Sequence, residues 1–120
     1  MNVQIKTTDY ELTPQLSSYL DEKIEALEKL ISDDAARCEI EIGRAAGHPQ
    51  QGRIWKAEIV ITHFGERHRA FAQEESVNAA IDIAKDEMQQ LLRKSKGRQM
   101  TLARRMGARL KRWARWGIRK

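Results

Sequence analysis

The stretch Glu74–Gly97, EESVNAAIDIAKDEMQQLLRKSKG, decides how the rest of the chain is read. Val77, Ala80, Ile81, Ala84, Met88, Leu91 and Leu92 recur at three- and four-residue steps, the spacing of one apolar stripe on a helix. Glu74, Glu75, Asp82, Asp86 and Glu87 come early and Arg93, Lys94 and Lys96 come late, an order that complements the helix dipole. Ser76 is placed to cap the first turn, and Gly97 offers a stop. The stripe reads as the buried face of a core helix. The late cations run straight into a segment unlike ordinary surface.

Upstream, the period changes. Residues Asn2–Thr7 alternate, with Val3 and Ile5 on one face, and predict a short strand. Thr13-Pro14 is a helix start: Thr13 as N-cap, and Pro14 at the first position, where a missing N–H costs nothing. Leu16, Leu20, Ile24, Leu27 and Ile31 then form a stripe to about Ile31, backed by Asp21, Glu22, Glu25 and Glu28. This acidic back would repel phosphate. Arg37–Arg44 alternates again, with Cys38, Ile40 and Ile42 inward. Ala45–Gly52 holds Gly47, Pro49 and Gly52 and predicts a loop. Arg53–Thr62 is the clearest strand, with Trp55, Ala57, Ile59 and Ile61 on one face. Phe64-Gly65 supplies a turn, and Arg67–Gln73 returns with His68, Ala70 and Ala72 on the face beneath the helices.

The order is therefore β-α-β-β-β-α. One strand–helix–strand crossover and two hairpins predict a four-stranded mixed sheet. Each helix has a single apolar stripe, so both should cover the same face in a two-layer α+β sandwich. The other face, carrying Lys6, Lys56, Arg67, Arg69 and Phe71 among acids, stays open.

A chain of 120 residues suits one domain with a modest core. Charged residues make up 32%, and no apolar run approaches membrane-spanning length. The N-terminus lacks the basic-then-apolar layout of a secretory signal, and Cys38 is the only cysteine, so a cytoplasmic, reducing setting is expected. The net charge of +5 is unevenly spread. Arg98–Lys120 has seven Arg, two Lys and no acid, whereas residues 1–97 have 13 basic and 17 acidic groups. A body over residues 1–97 and a basic tail over residues 98–120 is the division this suggests. In the tail Leu102, Met106, Leu110 and Trp113 fall at helical spacing among Arg104, Arg105, Arg109, Arg112 and Arg115. Gly107 and Gly117 interrupt the pattern, and like-charge repulsion favours a flexible or only conditionally helical state until a polyanion binds.

Catalytic signals are missing. There is no glycine-rich phosphate loop, and His48, His63 and His68 share no metal-ligand motif. Cys38 alternates with Ile40 and Ile42 and reads as a core packer. The carboxylates sit where helix polarity and solubility already explain them, so a non-enzymatic protein without a cofactor is expected. Trp55 reads as core. Trp113 and Trp116 lie in the basic tail, where they suit stacking on bases or anchoring at a membrane interface.

Two segments together resemble a known family: ELTPQLSSYLDEKIEALEKLI (Glu11–Ile31) and, after three strands, EESVNAAIDIAKDEMQQLLRK (Glu74–Lys94). Thr13-Pro14 with Leu16, Tyr19, Glu22 and Lys23, joined to Ala79-Ala80-Ile81-Asp82, is similar to the ribosome hibernation-promoting factors, also called ribosome-associated inhibitors or sigma-54 modulation proteins. The likeness covers about residues 1–97. It implies a non-enzymatic domain that binds the small ribosomal subunit and its ribosomal RNA between head and body, blocking the messenger and transfer RNA channel in idle ribosomes. It also implies RNA contacts from a row on the second helix, which here is Glu87, Gln90 and Lys94. Only Lys94 keeps the expected charge. The second folded domain of longer members, which pairs ribosomes, has no counterpart before Lys120.

The tail can offset the loss at Glu87 and Gln90, because clustered Arg binds phosphate in a salt-sensitive, sequence-independent way. The candidate RNA-binding residues are Arg93, Lys94, Lys96, Arg98, Arg104, Arg105, Arg109, Lys111 and Arg112. Two other readings fit the same layout. One is a double-stranded RNA-binding protein that does not act on the ribosome. The other is a membrane-surface or partner-binding module led by the basic amphipathic tail.

Overall fold

The computed structural model describes residues 1–45 and 54–115, with side chains for residues 1–45 and 54–96. The elements follow the expected order: β1 (Asn2–Thr8), α1 (Pro14–Glu28), β2 (Arg37–Arg44), β3 (Trp55–His63), β4 (Glu66–Glu74) and α2 (Val77–Arg115). The strands lie side by side in chain order in one sheet. β1 runs parallel to β2, and β2–β3 and β3–β4 are antiparallel. The fold is the two-layer α+β sandwich that the periodicities predict. The predicted loop Ala45–Gly52 lies outside the described residues beyond Ala45, whose N–H donates to Ile54 O at 2.7 Å.

Register explains which residues are inside. One face carries the rows Val3–Cys38–Ile61–His68, Ile5–Ile40–Ile59–Ala70 and Thr7–Ile42–Ala57–Ala72. Against them pack Leu16, Leu20, Ile24 and Leu27 of α1 and Val77, Ala80, Ile81, Ala84, Met88 and Leu92 of α2. The alanines of β4 let α2 approach the sheet closely. Trp55 is half-buried at the margin of this core, edge-on to Tyr10 with ring centroids 5.4 Å apart. Cys38 is fully buried, and burial first, then Glu28 and Glu39, pushes its thiol up to about 12. Such a thiol is inert at neutral pH.

Both helix starts are built as the sequence predicts. Thr13 Oγ1 accepts from Leu16 N at 3.2 Å with Pro14 in the first turn, and Ser76 Oγ accepts from Ala79 N at 3.1 Å. The ends differ from expectation. α1 stops at Glu28 rather than Ile31, because Leu30 N and Ile31 N bond back to Leu27 O and Glu28 O, which tightens the last turn. α2 does not stop at Gly97 but runs on through Gly107 to Arg115. A helix already anchored on a sheet has its nucleus formed, so continuing it adds one bond per residue fixed. An interior glycine costs only about 1 kcal/mol, and no proline intervenes.

Phe64-Gly65 forms the β3–β4 turn with both residues at positive φ, 47° and 77°. Such a turn matches sheet twist but strains any residue other than Gly, Asn or Asp at its first position. Asp33 compensates in part: its carboxylate accepts from Phe64 N at 2.7 Å and Ala35 N at 2.9 Å. Those two bonds hold the Asp33 carboxyl below its ordinary range. Phe64 is exposed, so Phe64→Asn should relieve the strain with little loss of packing. We expect a gain of about 1 kcal/mol in chemical denaturation.

Candidate nucleic-acid interface

The surface of the body divides by charge. The outer side of α1 presents exposed Asp21, Glu22, Glu25 and Glu28, as the sequence implies. The open sheet face mixes signs. Its rows are Asn2–Arg37–Thr62–Arg67, Gln4–Glu39–Val60–Arg69, Lys6–Glu41–Glu58–Phe71 and Thr8–Gly43–Lys56–Gln73. Two of its acids are neutralised locally: Lys56 Nζ lies 2.8 Å from Glu41, and Arg69 Nε donates to Glu58 at 2.6 Å. The Lys56 contact, the largest influence, holds the Glu41 carboxyl low. Arg37 and Arg67 share the row nearest the Phe64-Gly65 turn and make no ion pair among the described residues.

That same end of the sheet meets the late part of α2. Ser95 is fully buried and its hydroxyl donates to Glu66 Oε2 at 2.7 Å, joining α2 to the start of β4. Around it on α2, Arg93, Lys94 and Lys96 are all exposed. Arg37, Arg67, Arg93, Lys94 and Lys96 thus stand toward the turn end of the body, while Lys6 and Arg44 are exposed elsewhere on it. Of the sequence candidates, Arg93, Lys94 and Lys96 stand here. Arg98, Arg104, Arg105, Arg109, Lys111 and Arg112 follow on the continuation of α2, with side chains outside the described residues. Trp116 lies outside them entirely. The row Glu87–Gln90–Lys94 is exposed along its length, and Glu87 has no ion-pair partner among the described residues.

The turn end also gathers residues that the sequence left scattered. His63, Glu66 and His68 bring their donor atoms within 4.8 Å of one another. Carrying the strands right up to the Phe64-Gly65 turn, to His63 on one side and Glu66 on the other, is the signal that would have joined them. It pairs His63 with Glu66, and alternation then puts His68 on the same inner face. Burial, and next the neighbouring His68, holds His63 below its ordinary value, against the opposing pull of Glu66 and Asp33.

Three of the residues that carried the family resemblance, Tyr19, Lys23 and Asp82, meet in one place. Tyr19 OH donates to Asp82 Oδ1, Lys23 Nζ lies 3.3 Å from the same oxygen, and Lys23 sits 4.8 Å over the Tyr19 ring. The hydrogen bond to Asp82, then burial, pushes the Tyr19 hydroxyl up. This clasp ties α1 to α2 across the top of the sandwich.

A β-α-β-β-β-α sandwich with this clasp, an acidic first helix and a second helix that ends in cations defines a class of small two-layer α+β domains. Residues 3–100 match the family described as sigma 54 modulation protein / S30EA ribosomal protein, and the chain belongs to that family, the one its sequence resembles. Two solved structures share the fold. The Protein Y N-terminal domain of Thermus thermophilus has a TM-score of 0.65 and 21% identity, covering 78% of this chain and 98% of that one. A ribosomal subunit interface protein from Coxiella burnetii has a TM-score of 0.64 and 16% identity, covering 81% and 99%. A search of curated proteins gives no match.

Proposed function

We propose that this protein is a ribosome-associated translation inhibitor that docks on the small subunit and occupies the messenger and transfer RNA channel of idle ribosomes. The observation that carries this reading is the separation of charge within a chain of this family. An acidic α1 turns away, and Arg37, Arg67, Arg93, Lys94 and Lys96 collect where α2 leaves the sheet for its basic continuation. The partner is ribosomal RNA, gripped through phosphate by Arg93, Lys94, Lys96, Arg98, Arg104, Arg105, Arg109, Lys111 and Arg112. The chemistry is binding and exclusion rather than catalysis, and its setting is the cytoplasm. No helix among the described residues is long and apolar enough to cross a membrane.

Sedimentation of cell extract through a sucrose gradient tests the partner. Co-migration with small subunits is expected; co-migration with free RNA or with membranes would replace this reading with one of the two others. The docking face has its own test. Glu87 has no ion-pair partner among the described residues and lies on the row that the family resemblance turns toward RNA. Glu87→Lys with Gln90→Arg should tighten small-subunit binding by about tenfold or more and strengthen inhibition of translation in vitro. The gain should vanish when transfer RNA already fills the channel. Equal tightening toward free RNA and small subunits would sink the docking model, since it would show only added charge.

A further inference from the structure

We propose that His63, Glu66 and His68 form a binding site for a divalent transition metal, with zinc the ion it fits best. Their donor atoms already converge within 4.8 Å, while ligands around a tetrahedral zinc stand roughly 3.4 Å apart, so closure needs an inward shift of about 1 Å. Two imidazoles and one carboxylate are a set that zinc takes with a fourth position left over.

The polar groups at this place are otherwise hard to explain. His63 is 3% exposed and its Nδ1 has no hydrogen-bond partner among the described residues; His68 Nε2 is likewise buried and lacks one among them, lying 3.4 Å from Glu66 Oε2. Buried ring nitrogens are normally satisfied, and two that lack a hydrogen bond beside one carboxylate are an arrangement a cation would satisfy. The imidazole rings stand 5.2 Å apart by centroid and tilted by 44°, so they are not stacked as a packed pair. The supporting shell is present too. Ser95 Oγ donates to Glu66 Oε2 at 2.7 Å and lies 3.5 Å from His63 Nε2, a contact of the kind that orients a ligating carboxylate. The Glu66 side chain is 41% exposed, which leaves a route in for the ion. Because Ser95 belongs to α2, an ion here would fasten the β3–β4 turn to the point where the helix leaves the sheet.

Titrating the full chain with zinc chloride in a calorimeter should give one ion per chain, and cobalt chloride should give the visible absorption of a four-coordinate cobalt ion. His68→Gln and Glu66→Gln should each weaken zinc binding by tenfold or more, and Ser95→Ala by about tenfold. His48→Ala, which removes the third histidine, should leave binding unchanged. The rise in thermal midpoint that zinc produces in the parent should be lost in His68→Gln and Glu66→Gln. Both change half-buried residues, so folding of these variants can be verified without metal. Zinc binding unaltered by either substitution, binding abolished by His48→Ala, or no four-coordinate cobalt spectrum in the parent would each overturn the proposal.

Discussion

Replacing Arg104, Arg105 and Arg109 together with Gln should weaken binding to ribosomal RNA by on the order of a hundredfold at low salt. The slope of log affinity against log salt should fall by about 2 to 3. Each phosphate neutralised by an arginine releases condensed counterions, so removing three contacts acts on the slope as well as on the affinity. For the parent, about six phosphate contacts imply roughly a thousandfold loss between 50 and 200 mM salt. Gln is nearly as good a helix former as Arg, so the substitution removes charge while leaving α2 intact. A filter-binding titration at several salt concentrations reads both quantities. An unchanged slope would move the contacts onto the body, to Arg37, Arg67, Arg93, Lys94 and Lys96.

The second large effect is on stability. Gly43 is buried in β2, and a Cβ built there would lie 2.1 Å from Thr8 O and 2.9 Å from both Thr8 C and Thr8 N. Backbone cannot step aside as a side-chain tip can. Gly43→Ala must therefore push the end of β1 off the sheet. It would displace the chain toward Tyr10, which packs on Trp55, and toward the Thr13 cap of α1. We expect a loss of about 3 kcal/mol, at the upper end of overpacking costs, read as a drop in the thermal midpoint by calorimetry. A midpoint within a degree of the parent would show that β1 does not close over Gly43 in solution.

The sandwich was legible because its periods are clean. β2 occupies the predicted Arg37–Arg44, and the stripes of both helices are the residues found in the core. Thr13 and Ser76 cap where the sequence says they should. Boundaries were harder to read. Gly97 resembles a stop because glycine often ends helices, but a local preference near 1 kcal/mol does not end a helix whose preceding turns are fixed on a sheet. The candidate binding residues were legible only as charge. Composition put the cations at the end of the chain, and register was needed to show that Arg37 and Arg67, from two different strands, share a row close to the same end. His63, Glu66 and His68 were missed for a related reason. Their convergence depends on the turn type and on Ser95, 29 residues from Glu66 in sequence, which no spacing rule links.

The unbroken course of α2 changes what the basic continuation is as a physical object. At about 1.5 Å per residue its 39 residues extend roughly 58 Å, and Ser95 is the last buried residue among those whose side chains are described. A loose tether would let its cations search a volume around the body and settle wherever phosphate was near, at an effective concentration set by tether length. A helical backbone instead advances and turns by a fixed step, about 100° per residue, so the positions along it are set by residue count. The body and the basic segment then behave as a ruler with two marks, and the spacing of those marks is written in the number of residues between Ser95 and the first arginines. A binding groove whose phosphates match that spacing is gripped at both ends at once, and one that does not can be held by only one of them.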